Sequence, residues 1–188
     1  TAGGADAGGV WSSEGQAALM GDYAADRHAA PAAAAAAGRR ANAAGTSFVV
    51  VDDRGAAVAC GLTMGRPFGA GRVAGDTGII PAVRSDASID DDSLSPILAM
   101  NPNSNVLFFA AAGYGPGAAT AVTAVALRSL EAGQALESAM DAPRAEHRGA
   151  PDVTFVEPAA PDAMREDLAA RGHVVQRLPS PSLVNAAF

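Results

Sequence analysis

The stretch Gly45-Thr46-Ser47-Phe48-Val49-Val50-Val51-Asp52, then Asp53-Arg54-Gly55, then Ala56-Ala57-Val58-Ala59-Cys60-Gly61-Leu62-Thr63, decides the fold. Residues 46–52 are rich in β-branched and aromatic side chains and stop at an Asp-Asp-Arg-Gly turn. Residues 56–63 resume the pattern, so the pair predicts a β-hairpin closed by a Gly-containing turn. Downstream, the Gly-rich residues 68–78 and the polar, acidic residues 81–96 predict two long loops. Residues 97–100 and 106–112 predict strands around the turn Asn101-Pro102-Asn103-Ser104-Asn105, and the glycines of 113–117 break the second strand. Val122, Val125, Ala126 and Leu130 fall near helical spacing and predict a long helix over 117–132, ended by Gly133. A shorter helix (134–140), a strand (154–156), a helix (162–170) closed by Gly172 and a last strand (173–178) follow. Upstream, residues 1–45 are Ala- and Gly-dominated and hold one predicted helix, 14–29, with a weak apolar stripe. This order of strands and helices predicts a layered α/β or α+β domain.

The chain has 188 residues, 49% hydrophobic and 18% charged, a length that suits one domain. Its formal charge is −7, which argues against nucleic acid or an anionic membrane as the main partner. Lys is absent and all 13 basic side chains are Arg, which excludes Schiff-base chemistry, a pyridoxal-phosphate anchor and a phosphate-loop Lys. The single Cys60 forms no intrachain disulfide. No apolar run reads as a membrane span. The chain opens on Thr1 with no export signal before it, as a processed product or a piece of a longer chain would.

His28, His147 and His173 lie far apart and show no metal-ligand spacing, so no metal site is expected. Asp90, Asp91 and Asp92 lack the alternating ligands and glycine of a calcium loop and read as a solvated acidic loop. No Gly-x-Ser-x-Gly elbow occurs. Two features carry chemistry. Thr46 opens a strong strand after a flexible segment, and a Thr at a chain terminus can use its own α-amino group as general base. Ala112-Gly113-Tyr114-Gly115-Pro116-Gly117 joins a buried strand to a long helix, where backbone N–H groups and the helix dipole can hold a developing oxyanion. A strand-edge Thr and a tight structural turn are the alternative readings of the two.

These features in this order resemble the γ-glutamyltransferase (γ-glutamyltranspeptidase) family of N-terminal-nucleophile hydrolases. Asp22-Tyr23-Ala24-Ala25-Asp26-Arg27 looks like the tail of that family's large subunit. Val50-Val51-Asp52 through Gly55-Ala56-Ala57-Val58 looks like the opening hairpin of its small subunit. The stretch from Phe68-Gly69-Ala70-Gly71 to Gly78-Ile79 is similar to the family's F-G-x-G-x-V-A-G-x-x-G-I, and Leu94-Ser95-Pro96 to its S-S-M-S-P. Asp141-Ala142-Pro143-Arg144, Val156-Glu157-Pro158 and Leu168-Ala169-Ala170-Arg171-Gly172-His173 complete the ordered set.

The resemblance implies an αββα four-layer sandwich, with residues 1–45 as large-subunit tail and 46–188 as a small-subunit-like catalytic domain. It implies an internal Thr that becomes the N-terminal nucleophile after self-cleavage and attacks γ-glutamyl amides such as glutathione, with no cofactor and no metal. The family reads T-T-H-x-S-V-V-D where this chain reads Gly45 to Asp52, so an ungapped match puts Gly45 at the nucleophile. A one-residue shift brings in Thr46 but flips the side-chain faces. Thr46 is the nearest nucleophile candidate, Thr1 a rival, and absence of a nucleophile the third possibility. By the same transfer Thr63 supports the nucleophile, and Tyr114 and Gly115 form the oxyanion pair. Asp86 lies near the position of the acidic residue that holds the substrate's α-amino group, and Asp92 and Ser93 stand where paired serines grip its α-carboxylate, with Arg84 able to offset the Asp92 charge. The family's substrate-binding Asn corresponds to Gly65. The implied partner is the large subunit of the same precursor, and the implied location is the periplasm or cell surface. A catalytically silent relative, or an acylase with another amide substrate, is the alternative.

Overall fold

The computed structural model describes residues 12–21, 23–29, 45–83, 94–147, 149 and 151–188. A short helix α1 (Ser13–Met20) starts the described chain, its first turn capped by Ser12 Oγ accepting the Gly15 N–H at 3.0 Å. It is shorter than the residues 14–29 expected: Gly21 follows it, and residues 23–29 are irregular.

The predicted hairpin is present as β1 (Gly45–Val51) and β2 (Ala57–Thr63). They pair antiparallel without a bulge, from Gly45 opposite Thr63 to Val51 opposite Ala57. Asp52 Oδ1 closes the turn by accepting the N–H groups of Arg54 and Ala56, and Gly55 takes the left-handed backbone the turn requires (φ +81°). Side chains alternate across the pleat. Ser47 is buried and Gly45, Val49 and Val51 half-buried on one face, while Thr46, Phe48 and Val50 are exposed on the other.

A second sheet has the order β3–β4–β8, from β3 (Leu94–Met100), β4 (Leu107–Tyr114) and β8 (Leu183–Ala187), all antiparallel. Pro96 is tolerated in β3 because that strand is an edge. Helix α2 (Ala118–Ala126) continues into a π-helical turn (Leu127–Glu131) and is followed by α3 (Leu136–Asp141). One face of β4 packs on these helices, with Phe109, Ala111, Val122, Val125 and Ala139 forming the buried core. The other face, Ala110 and Ala112, packs toward the hairpin. The strand runs through Gly113 instead of breaking there. A Cβ on Gly113 would lie 2.6 Å from Val122 Cγ2, so glycine lets α2 approach the sheet rather than ending the strand.

A third sheet, β5–β6–β7, joins β5 (Ala145–His147), β6 (Thr154–Val156) and β7 (Val175–Arg177). Helix α4 (Asp162–Ala170) is the crossover between β6 and β7, which pair in parallel. Among the described residues no helix is long and apolar enough to cross a membrane.

Candidate active site

The two sheets are stitched together at Ser47. Its buried hydroxyl donates to Ala112 O at 2.9 Å, and Asn185 Nδ2 on β8 donates to Ser47 O (2.9 Å) and Ser47 Oγ (3.0 Å). Two residues earlier on the same face stands Gly45. A Cβ there would meet Tyr114 Cδ2 at 3.1 Å and Leu62 O at 3.0 Å. The inward position at the start of β1 is therefore glycine, closed over by the Tyr114 ring. Thr63 is its cross-strand partner, half-buried, with Oγ1 accepting the Gly65 N–H at 3.0 Å. Thr46 stands on the opposite, exposed face, opposite Leu62. The structure thus gathers Gly45, Thr63 and Tyr114 and leaves the Thr46 hydroxyl outside that group while the strand is continuous.

The turn after β4 is built from glycines with left-handed or open backbones, Gly115 at φ +112° and Gly117 at φ +73°, and Gly117 opens α2. The Ala118 N–H donates to Gly115 O at 3.2 Å. A Cβ on Gly117 would overlap the buried Glu146 carboxylate, so that anion already sits against the positive end of α2. Ser182 Oγ donates to Pro116 O and fixes the turn from the side.

Behind the turn lies a buried ion pair. Arg144 Nε donates to Glu157 Oε1 at 2.9 Å and Nη2 lies 2.8 Å from the same oxygen, with both side chains under a tenth exposed. Arg144 also donates to Met140 O (2.8 Å) and Ser182 O (2.9 Å). Glu157 accepts the N–H groups of Arg144 (3.2 Å) and Ser182 (3.1 Å). Arg128 donates to the carbonyls of Ala142 and Pro143, and burial, then the neighbouring Arg144 charge, lowers its pKa. A cleft of about 360 Å³ borders this pair along Asp141, Pro158, Pro181 and Leu183; Thr46, Thr63, Tyr114 and Gly115 do not line it.

Gly65 has φ +73°, and a Cβ there would overlap Val83 O. This glycine is needed for the 64–83 loop to close, through the Val83 N–H to Met64 O bond (3.0 Å). Thr1, Arg84, Asp86, Asp92 and Ser93 lie outside the described residues. Sequence reasoning missed Ser47 and Asn185, and quoted Arg144 and Glu157 without a role.

The family model described as Gamma-glutamyltranspeptidase matches residues 91–187, more than half of the chain. The chain belongs to the γ-glutamyltranspeptidase family. Among solved structures of that family, the fold is similar to a Helicobacter pylori γ-glutamyltranspeptidase mutant, with TM-score 0.62 and 22% identity over 75% of this chain and 89% of that one. It is similar also to the Pseudomonas nitroreducens γ-glutamyltranspeptidase complexed with L-DON (0.59, 20%, 75% and 87%). A third likeness is to the Bacillus anthracis transpeptidase enzyme CapD (0.54, 16%, 75% and 84%). At these identities the likeness establishes a mixed helix-and-sheet fold shared with these structures. Comparison with curated protein sequences returns no match.

Proposed function

We propose that this protein hydrolyses or transfers the γ-glutamyl group of glutathione-like amides, and that it does so only after its chain is cut before Thr46. Membership of the γ-glutamyltranspeptidase family supports the reaction class. The observation that carries the condition is the position of Gly45. While Gly45 is attached, it lies against Tyr114 and holds Thr46 on the outer strand face.

Scission removes Gly45 from the Tyr114 ring and frees rotation about the Thr46 Cα–C bond, so the new terminal residue can turn its hydroxyl inward. The freed α-amine then takes the hydroxyl proton as Oγ attacks the γ-carbonyl. The N–H groups of the Tyr114–Gly115 turn receive the oxyanion, and Thr63 steadies the nucleophile. The amine leaving group departs with the proton, leaving an acyl-Thr46 ester that water hydrolyses or an amino acid accepts. Asp86 takes the substrate's α-ammonium and Ser93 its α-carboxylate, with Arg84 balancing Asp92.

The same reading gives an αββα sandwich completed by the large subunit, with 1–45 as its tail, 46–188 as the small-subunit-like domain, and export to the periplasm or cell surface. The outer hairpin face supports it: Phe48, Val50, Val58 and Leu62 are apolar and 40–57% exposed, a surface that a helical layer would cover. A second reading, a silent binding or structural subunit, is favoured by the unbroken pairing of β1 from Gly45 onward and the Ser47 clamp just behind it.

A chromogenic γ-glutamyl anilide, assayed beside intact-mass measurement, separates the two. Turnover that accompanies a fragment beginning at Thr46 and is lost in Thr46→Ala supports the enzyme. An uncut chain without turnover supports the silent subunit.

A further inference from the structure

All three histidines of the chain, distant in sequence, meet at one place. His28 Nε2 lies 2.8 Å and His147 Nε2 2.9 Å from the same oxygen, Asp152 Oδ1. The three donor atoms all lie within 4.8 Å of one another. The His173 ring stands 4.5 Å from that of His28 and 6.5 Å from that of His147, centroid to centroid. Separate elements bring them there. The His28 N–H donates to Arg171 O at 2.6 Å, and Arg171 Nη1 donates to Ala25 O, so residues 25–28 are bound to the end of α4. His147 ends β5, Asp152 precedes β6 and His173 precedes β7.

We infer that His28, His147 and Asp152 form a binding site for a divalent transition metal of the Zn²⁺ type, with His173 beside it. Two imidazoles and one carboxylate are borderline donors suited to that class. Donor atoms around tetrahedral Zn²⁺ sit about 3.3 Å apart. Asp152, on an exposed loop, would withdraw by about 0.5 Å from each imidazole, and the two imidazole nitrogens, now within 4.8 Å of each other, would settle to the same spacing around the ion. His28 Nε2 is buried and, although close to Asp152, has no hydrogen-bond partner of acceptable geometry. A metal would give that buried nitrogen a directional partner in place of its 2.8 Å ion-pair contact with Asp152.

His173, beside the three ligands, is itself held in place by a hydrogen bond. Its Nδ1 lies 2.8 Å from Thr154 Oγ1, and when that hydroxyl accepts the Nδ1 proton the other nitrogen keeps its lone pair. His147 Nδ1 now accepts the Gly149 N–H at 3.1 Å. Metal on Nε2 moves the ring proton to Nδ1, so this bond must be exchanged, which gives a local readout. The site would clasp residues 23–29 to the third sheet, independently of whether the chain is cut.

The test is titration of chelator-treated full chain with Co²⁺ and then Zn²⁺, with amide exchange followed in parallel. Saturation at one ion per chain, a d–d absorption band, slowed exchange over 23–29 and altered exchange at Gly149 are the expected results. Asp152→Asn and His28→Ala should each weaken uptake at least about tenfold, with far-UV circular dichroism unchanged. No saturable uptake, uptake equal in the Asp152→Asn protein, or uptake abolished by Cys60→Ser instead would overturn the assignment.

Discussion

Replacing Arg144 by Met tests whether the ion pair behind the Tyr114 turn holds the domain together. Arg144 and Glu157 are 9% and 7% exposed at the side chain, and four further hydrogen bonds tie them to Met140, Ser182 and the Arg144 backbone. Met fills most of the aliphatic volume but leaves Glu157 buried with two N–H donors and without its bonded cation, Arg128 acting on it only through space, and leaves the Met140 and Ser182 carbonyls without their donor. Breaking a buried pair from one side costs about 3–5 kcal/mol. That is a large part of the roughly 5–15 kcal/mol that holds a domain folded. At about 2–4 °C per kcal/mol for a domain of this size, Tm should fall by roughly 6–20 °C.

Urea unfolding followed by circular dichroism measures the loss. A double Arg144→Met, Glu157→Leu protein should recover at least about 1 kcal/mol relative to the sum of the single losses, because no buried charge remains. The turn should also report the loss, since Ser182 joins Glu157 to Pro116 O. A loss below about 1 kcal/mol, or strict additivity in the cycle, would refute this account of the pair.

Ser47→Ala removes a buried hydroxyl that bridges Ala112 and Asn185 and should cost about 1–3 kcal/mol in the same assay. Gly113→Ala places a methyl 2.6 Å from Val122 Cγ2 and should cost about 1–3 kcal/mol, with partial recovery in Gly113→Ala, Val122→Ala. Gly65→Asn puts a side chain into overlap with Val83 O, so it should speed proteolysis of the 64–83 loop and bring no gain in anilide turnover.

The hairpin and the 162–170 helix were legible because a β-branched run around a Gly-containing turn and a glycine stop at Gly172 are local signals, and the short 154–156 strand also lies where expected. β5 and β8 were not: Ala-Glu-His and Leu-Val-Asn-Ala-Ala carry little strand pattern, and tertiary pairing makes them strands. Glycine misled at Gly113, where it serves close packing rather than termination. The family was legible from its ordered set of motifs. Which strand face each residue takes needed the pairing partners, and that places Gly45 rather than Thr46 against Tyr114. The histidine cluster was invisible because its members come from irregular segments and strand ends that only folding brings together.

The most direct test follows purified, uncut chain over time, reading fragment mass and γ-glutamyl anilide turnover from the same sample. The account predicts that turnover is absent at the start and rises in step with the fragment that begins at Thr46. Turnover by chain still joined through Gly45 and Thr46, or turnover that survives Thr46→Ala, would contradict it.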